Sequence, residues 1–281
     1  MKSVLRMFFL LVMAFLAQAA TAADGAAFIA NLKGEVTLDD AARPSLFAEL
    51  AKGQKLVLGK DATLSVMFIQ SGKEFSLKGP GEFVVKDSDI GASKGAAPVA
   101  RQTAWRTNAK VVAQVAQSSS ASIRMRGIAP VEDKGAKLLY PTLGRVSTLQ
   151  PTFRWNPADA RSPYEFTLVP SGDKTLPLSK AKVTADSYAL PIKLKPDTEY
   201  AWAVSASNSE IGTGSFRTLS AEALRQVEML RPTEKAGFTD RLMYALLLQD
   251  MGATQDALEM WSRLAKERAD LPELSVLSKR H

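Results

Sequence analysis

Leu194-Lys195-Pro196-Asp197-Thr198-Glu199-Tyr200-Ala201-Trp202-Ala203-Val204-Ser205-Ala206 is the stretch that decides the fold. A turn built on Pro196 and Asp197 leads into a run in which Tyr200 and Trp202 alternate with small or polar residues, the period of a strand with one face buried. The neighbours repeat the pattern. Upstream, Gln150-Pro151-Thr152-Phe153-Arg154-Trp155 turns Phe153 and Trp155 the same way, and Tyr164-Glu165-Phe166-Thr167-Leu168 alternates likewise. Downstream, Gly212-Thr213-Gly214-Ser215-Phe216-Arg217-Thr218 supplies a closing turn and strand. Residues 138–218 therefore read as a β-sandwich whose interior takes Tyr200, Trp202 and Trp155. The competing use of those three rings is stacking on a sugar.

Position for position, residues 194–206 resemble the L-x-P-x-T-x-Y-x-x-x-V-x-A run of fibronectin type III domains. That resemblance implies an immunoglobulin-like sandwich, with the Tyr200 hydroxyl bonded back to the turn before it. The span falls a little short of the ~100 residues of such a sandwich, so one early strand is expected to be missing or reduced.

Residues 25–98 read as a second all-β module of short strands cut by turns at intervals of about ten residues. Thr63-Leu64-Ser65-Val66-Met67-Phe68 places Leu64, Val66 and Phe68 on one face. Gly34-Glu35-Val36, Leu56 with Gly59, Ser71-Gly72 and Leu77-Lys78-Gly79-Pro80-Gly81 resemble the FecR domain, which opens on a G-x-V strand. Regulators of that family join this domain to a membrane helix and a cytoplasmic anti-sigma segment. Neither is visible here, so the resemblance points to the stand-alone exported branch and direct sigma-factor control is not carried over.

Residues 99–137 form a connector or the final strand of the first module, with residues 104–117 open to a helical or an extended reading. Arg124 and Arg126 in Ile123-Arg124-Met125-Arg126-Gly127 are either a small anion-binding patch or strand residues with their guanidinium groups in water.

From Ser220 the apolar period becomes 3.6. Ser220 is placed to cap a helix that Pro232 stops, Thr239 to cap one ended by Gly252, and Thr254 to cap a third, with Pro272 beyond it. The second and third resemble one tetratricopeptide repeat in Tyr244, Ala245, Gly252, Ala257 and Trp261. A solitary repeat cannot bury its own faces. Either the Ser220 to Leu230 helix and the sandwich cover it, or a partner does; in the second case Tyr244, Leu247 and Trp261 are the contact residues. The expected fold class is mainly β: an N-terminal FecR-like β module, a fibronectin-like sandwich and a small C-terminal helical segment.

Lys2 and Arg6, an apolar run of 11 residues at positions 7–17 and the Ala20-Thr21-Ala22 exit make residues 1–22 a cleavable secretory leader. A membrane span needs about 20 apolar residues, so the mature chain is expected in a bacterial periplasm, without membrane insertion. Loss of the leader takes two positive charges from a formal net charge of +7 and leaves +5, scattered rather than clustered as a nucleic-acid binder requires.

The chain has no Cys and a single His, His281. That leaves no thiol nucleophile, and no imidazole inside the chain for a triad or a zinc site. No cofactor and no metal site are expected. A glycosidase needs two carboxyls about 5 to 9.5 Å apart, for which Asp39-Asp40 and Asp87-Asp89 are the close acidic pairs of the β region. Neighbouring carboxylates in turns are usually solvated, and the expectation is no enzyme. The sequence leads to a non-catalytic envelope protein that binds another envelope protein, with envelope glycan as the alternative ligand.

Overall fold

The computed structural model describes residues 26–40, 43–105, 137–142, 144–157, 163–171, 176–207 and 209–279. Arg124 and Arg126, the leader and His281 lie outside the described residues. The chain is mainly β, with antiparallel sheets and a small C-terminal helical segment.

The first module holds two sheets. β1 (Ala27–Lys33), β3 (Glu49–Leu50), β5 (Thr63–Phe68), β6 (Lys73–Lys78) and β9 (Val99–Gln102) stand in the order β3-β1-β5-β6-β9. β2 (Val36–Leu38), β4 (Lys55–Leu58), β7 (Gly81–Val85) and β8 (Ile90–Lys94) stand in the order β2-β4-β7-β8. Leu64, Val66 and Phe68 are buried as their alternation requires, but so is Met67 between them. The register explains this. Ile29, Val66, Phe75 and Ala100 form one cross-strand row, while Phe28, Met67, Glu74 and Arg101 form another on the opposite face. Both faces of the sheet are covered at β1, whereas β9 at the edge is exposed throughout.

The sandwich follows. β10 (Leu138–Tyr140), β12 (Thr152–Trp155) and β15 (Ser187–Ala189) make a three-stranded sheet in the order β10-β12-β15. β11 (Arg145–Val146), β13 (Tyr164–Pro170), β14 (Ser179–Val183), β16 (Glu199–Ala206) and β17 (Ser209–Thr218) make the second, in the order β11-β17-β16-β13-β14. Its core is a cluster of rings: Phe153 lies 4.7 Å from Phe166, 4.9 Å from Trp202 and 5.7 Å from Phe216 between centroids. Tyr200, Trp202 and Trp155 are all buried within it. The Tyr200 hydroxyl accepts the Lys195 amide at 2.9 Å, bracing the turn before β16.

Four helices close the chain: α1 (Ala221–Met229), α2 (Phe238–Asp250), α3 (Thr254–Glu267) and α4 (Pro272–Leu277). Ser220 caps α1, its hydroxyl accepting from the Ala223 amide. Gly252 ends α2 in the left-handed conformation, φ 76°. The Gly252 amide bonds to Gln249 O and the Ala253 amide to Leu248 O, the paired bonds that satisfy a helix's last carbonyls. Two starts differ from expectation. α2 begins at Phe238 with Gly237 before it, and the Thr239 hydroxyl donates to Glu74 instead of capping. Pro272 does not merely lie beyond α3 but opens α4 from the first turn, where its missing N–H costs nothing.

The segment expected as a helical tail is part of the first module's interior. One apolar cluster contains residues of β1 to β7 together with Leu242, Leu246, Leu247, Trp261 and Leu274. The Phe47 ring packs 6.4 Å from Trp261, edge to face. The sandwich, with its own cluster drawn wholly from residues 138–216, is thus inserted in sequence between two parts of a single body.

Candidate functional site

Tyr244, Leu247 and Trp261, the residues expected to meet a partner, are buried at 3%, 0% and 0% exposure in that shared core. Their faces are covered by the chain itself, because α2, buried at every position from Leu242 to Leu248, and α3 share one apolar cluster with β1 and β5. Trp261 donates its indole N–H to Gln249 at 3.1 Å. The Tyr244 hydroxyl has no hydrogen-bond partner among the described residues, and burial pushes the phenol up to about 12. Trp155 and Trp202 are buried at 1% and 2%, so neither presents a face to a sugar. The acidic pairs serve turns and surface ion pairs. Asp39 accepts from the Lys55 amide and from Gln54, each at 2.8 Å, Asp87 meets Lys52 at 2.7 Å, and Asp89 faces Lys86 at 3.6 Å.

The polar groups that converge do so at the helices' two borders, and sequence reasoning singled out neither set. The first is centred on Glu74, 5% exposed, in the row of β6 that faces α2. It accepts from Thr239 at 2.7 Å and from Arg101 Nε at 2.9 Å, and Arg101 also reaches Asp240 at 2.9 Å. Burial works against the Arg101 charge, but the bonds to Asp240 and Glu74 outweigh it and hold its pKa above the ordinary value. Nearby, Arg268 donates to Leu32 O at 2.6 Å and to Asn31, and the Leu46 amide donates to Glu273 at 3.1 Å. These bonds fix the helices to the first module across 139 to 237 residues of chain.

The second set joins the sandwich to the first turn of α3. Asp256 accepts the Tyr140 hydroxyl on one oxygen and the Ser147 amide on the other, both at 2.7 Å. Gln255 accepts the Thr142 amide at 2.6 Å and donates to Leu139 O at 3.0 Å. The Arg145 amide donates to Gly252 O at 3.0 Å, and Arg154 pairs with Glu259. Gly144 makes the approach possible: it sits at φ 66°, and a Cβ there would lie 3.0 Å from Gly252 O. Burial, and then the Asp256 charge beside it, push the Tyr140 phenol far above its ordinary pKa, so it keeps the proton that it donates to Asp256. An open depression of about 200 Å³ borders this seam, lined by Leu139, Gln255, Leu258, Glu259, Ser262 and Ser278.

Chemically, both sets consist of carboxylates and amides already engaged with donors, an arrangement that holds elements together. Among the described residues no three His, Cys, Asp or Glu side chains converge as a metal ion requires, and no helix is long and apolar enough to cross a membrane. Neither a family model nor a curated protein matches the chain.

Proposed function

We propose that the protein is a non-catalytic binding or scaffold protein of the bacterial periplasm, which offers the outer surfaces of two β modules to another envelope protein. The observation that carries this is the internal use of the helices. Their apolar faces are spent on the chain's own core, which leaves β edges as the surfaces available for docking. Among the described residues β8 and β14 are such edges, each paired on one side only. A sheet edge offers unpaired amides and carbonyls to an added strand.

Residues 1–22 support export. The FecR resemblance of residues 25–98 supports an envelope setting. The Tyr200–Lys195 bond supports the fibronectin type III resemblance. Glycan stacking on Trp155 and Trp202 is not proposed, since both are buried.

The test is in-cell photocrosslinking of the exported chain, with the photoreactive residue at Ala92 in β8, at Lys180 in β14, and at Leu247 as an interior control. A discrete adduct with one envelope protein from Ala92 or Lys180, absent from Leu247, is the expected result. Retention of uncleaved protein in the cytoplasm, or silence at both surface positions across growth conditions, overturns the proposal.

A further inference from the structure

Among the described residues the sandwich and the body share no apolar cluster. The body's cluster runs from Ala27 to Trp105 and resumes at Leu219, and the sandwich's cluster stays within residues 138–216. Between them lies the polar seam, in which Tyr140, Thr142, Arg145, Ser147 and Arg154 bond to residues 251–259. One carboxylate, Asp256, ties both β10, through Tyr140, and the segment after β11, through Ser147. The covalent exit is equally local. The Leu219 side chain is buried in the body, while its amide donates to Val146 O and its carbonyl accepts from Asp197 in the sandwich. Ser220, in extended backbone at ψ 159°, is the next residue and the cap of α1.

We infer that this seam is a latch: the sandwich undocks from the body as a rigid arm, pivoting at Leu219–Ser220, with Asp256 as the catch. The physical ground is the kind of contact broken. Parting two apolar faces exposes area to water, and the cost grows with that area. Parting hydrogen-bonded groups at a surface returns each of them to water, so the net loss per bond is small. The two apolar clusters have no residue in common, and at their border Leu219 belongs to the body's cluster and Tyr140 to the sandwich's. The sub-global opening is therefore lower in free energy than unfolding either module. In the open state the Asp256 carboxylate and the Thr142, Arg145 and Ser147 amides become solvated together.

Residue-resolved hydrogen exchange on the full chain tests this, because the amides of Thr142, Arg145 and Ser147 all donate across the seam. In Asp256→Ala these three are expected to exchange on the order of tenfold faster, while Trp202 and Val204 in β16 and Leu247 in α2 change by less than about twofold. Should Asp256→Ala not fold, Tyr140→Phe removes one of the two bonds to the same carboxylate and keeps the ring, and the same three amides should accelerate alone. Unchanged seam amides, or equal acceleration in seam and cores, overturns the inference.

Discussion

Against the first module, helices α2 and α3 present Leu242, Leu247 and Trp261, and against the sandwich they present Gln255, Asp256 and Glu259. The helical segment thus makes one joint with an apolar core and a hydrogen-bonded border, the dry joint, and another through α3, the wet joint, that is hydrogen-bonded without a shared apolar cluster. The dry joint makes body and helices one cooperative unit, since neither can lose the other without exposing a core. The wet joint fixes orientation and leaves the sandwich a unit of its own. Chain order conceals this, because the sandwich sits between the two stretches that form the body.

The sharpest way to break the comparison is a pair of tryptophan truncations. Trp261→Ala removes the ring that packs on Phe47, and Trp202→Ala removes one packed among Phe153, Phe166 and Trp155. Each is expected to cost about 3–5 kcal/mol, but in different units. By calorimetry, Trp261→Ala should lower only the transition of the body and Trp202→Ala only that of the sandwich. A single transition lowered equally by both would erase the distinction between the two joints.

Glu74 probes the polar part of the dry joint. Glu74→Ala leaves the buried Thr239 hydroxyl without its acceptor and strips Arg101 of one of its two carboxylates, a loss of about 1–3 kcal/mol read as a lower urea midpoint for the body. Glu74→Gln, which keeps an acceptor for Thr239, should recover part of it. No change in either variant would mean that apolar burial alone holds α2 to the sheet.

How much of this was legible in the sequence follows the range of the contacts involved. The alternation of Leu64, Val66 and Phe68 and the bond from Tyr200 to the turn five residues earlier are local, and the residues spell them out. The α2 stop at Gly252 is local too. Burial of Met67 and Glu74 was illegible, since their cover arrives from Thr239 and its neighbours, 165 residues away from Glu74. Tyr244, Leu247 and Trp261 read in the sequence as residues of a hairpin whose faces need cover, but periodicity names a buried face and never what buries it. For the same reason the hydrogen-bonding partners of Asp256, more than 100 residues upstream, left no pattern to find.

The smallest expected effect separates two tyrosines that look alike in the sequence. Tyr200 and Tyr244 are both buried, one in each core, yet only the Tyr200 hydroxyl has a described partner, the Lys195 amide. Tyr200→Phe orphans that amide and should cost about 0.5–1.5 kcal/mol in the sandwich transition. Tyr244→Phe discards a hydroxyl that receives nothing for its desolvation, so the body should keep its stability or gain up to about 1 kcal/mol. Paired denaturant titrations decide the matter. If Tyr244→Phe instead weakens the body as much as Tyr200→Phe weakens the sandwich, the buried phenol of α2 has a polar partner, and the joint between helices and first module is less dry than its side chains imply.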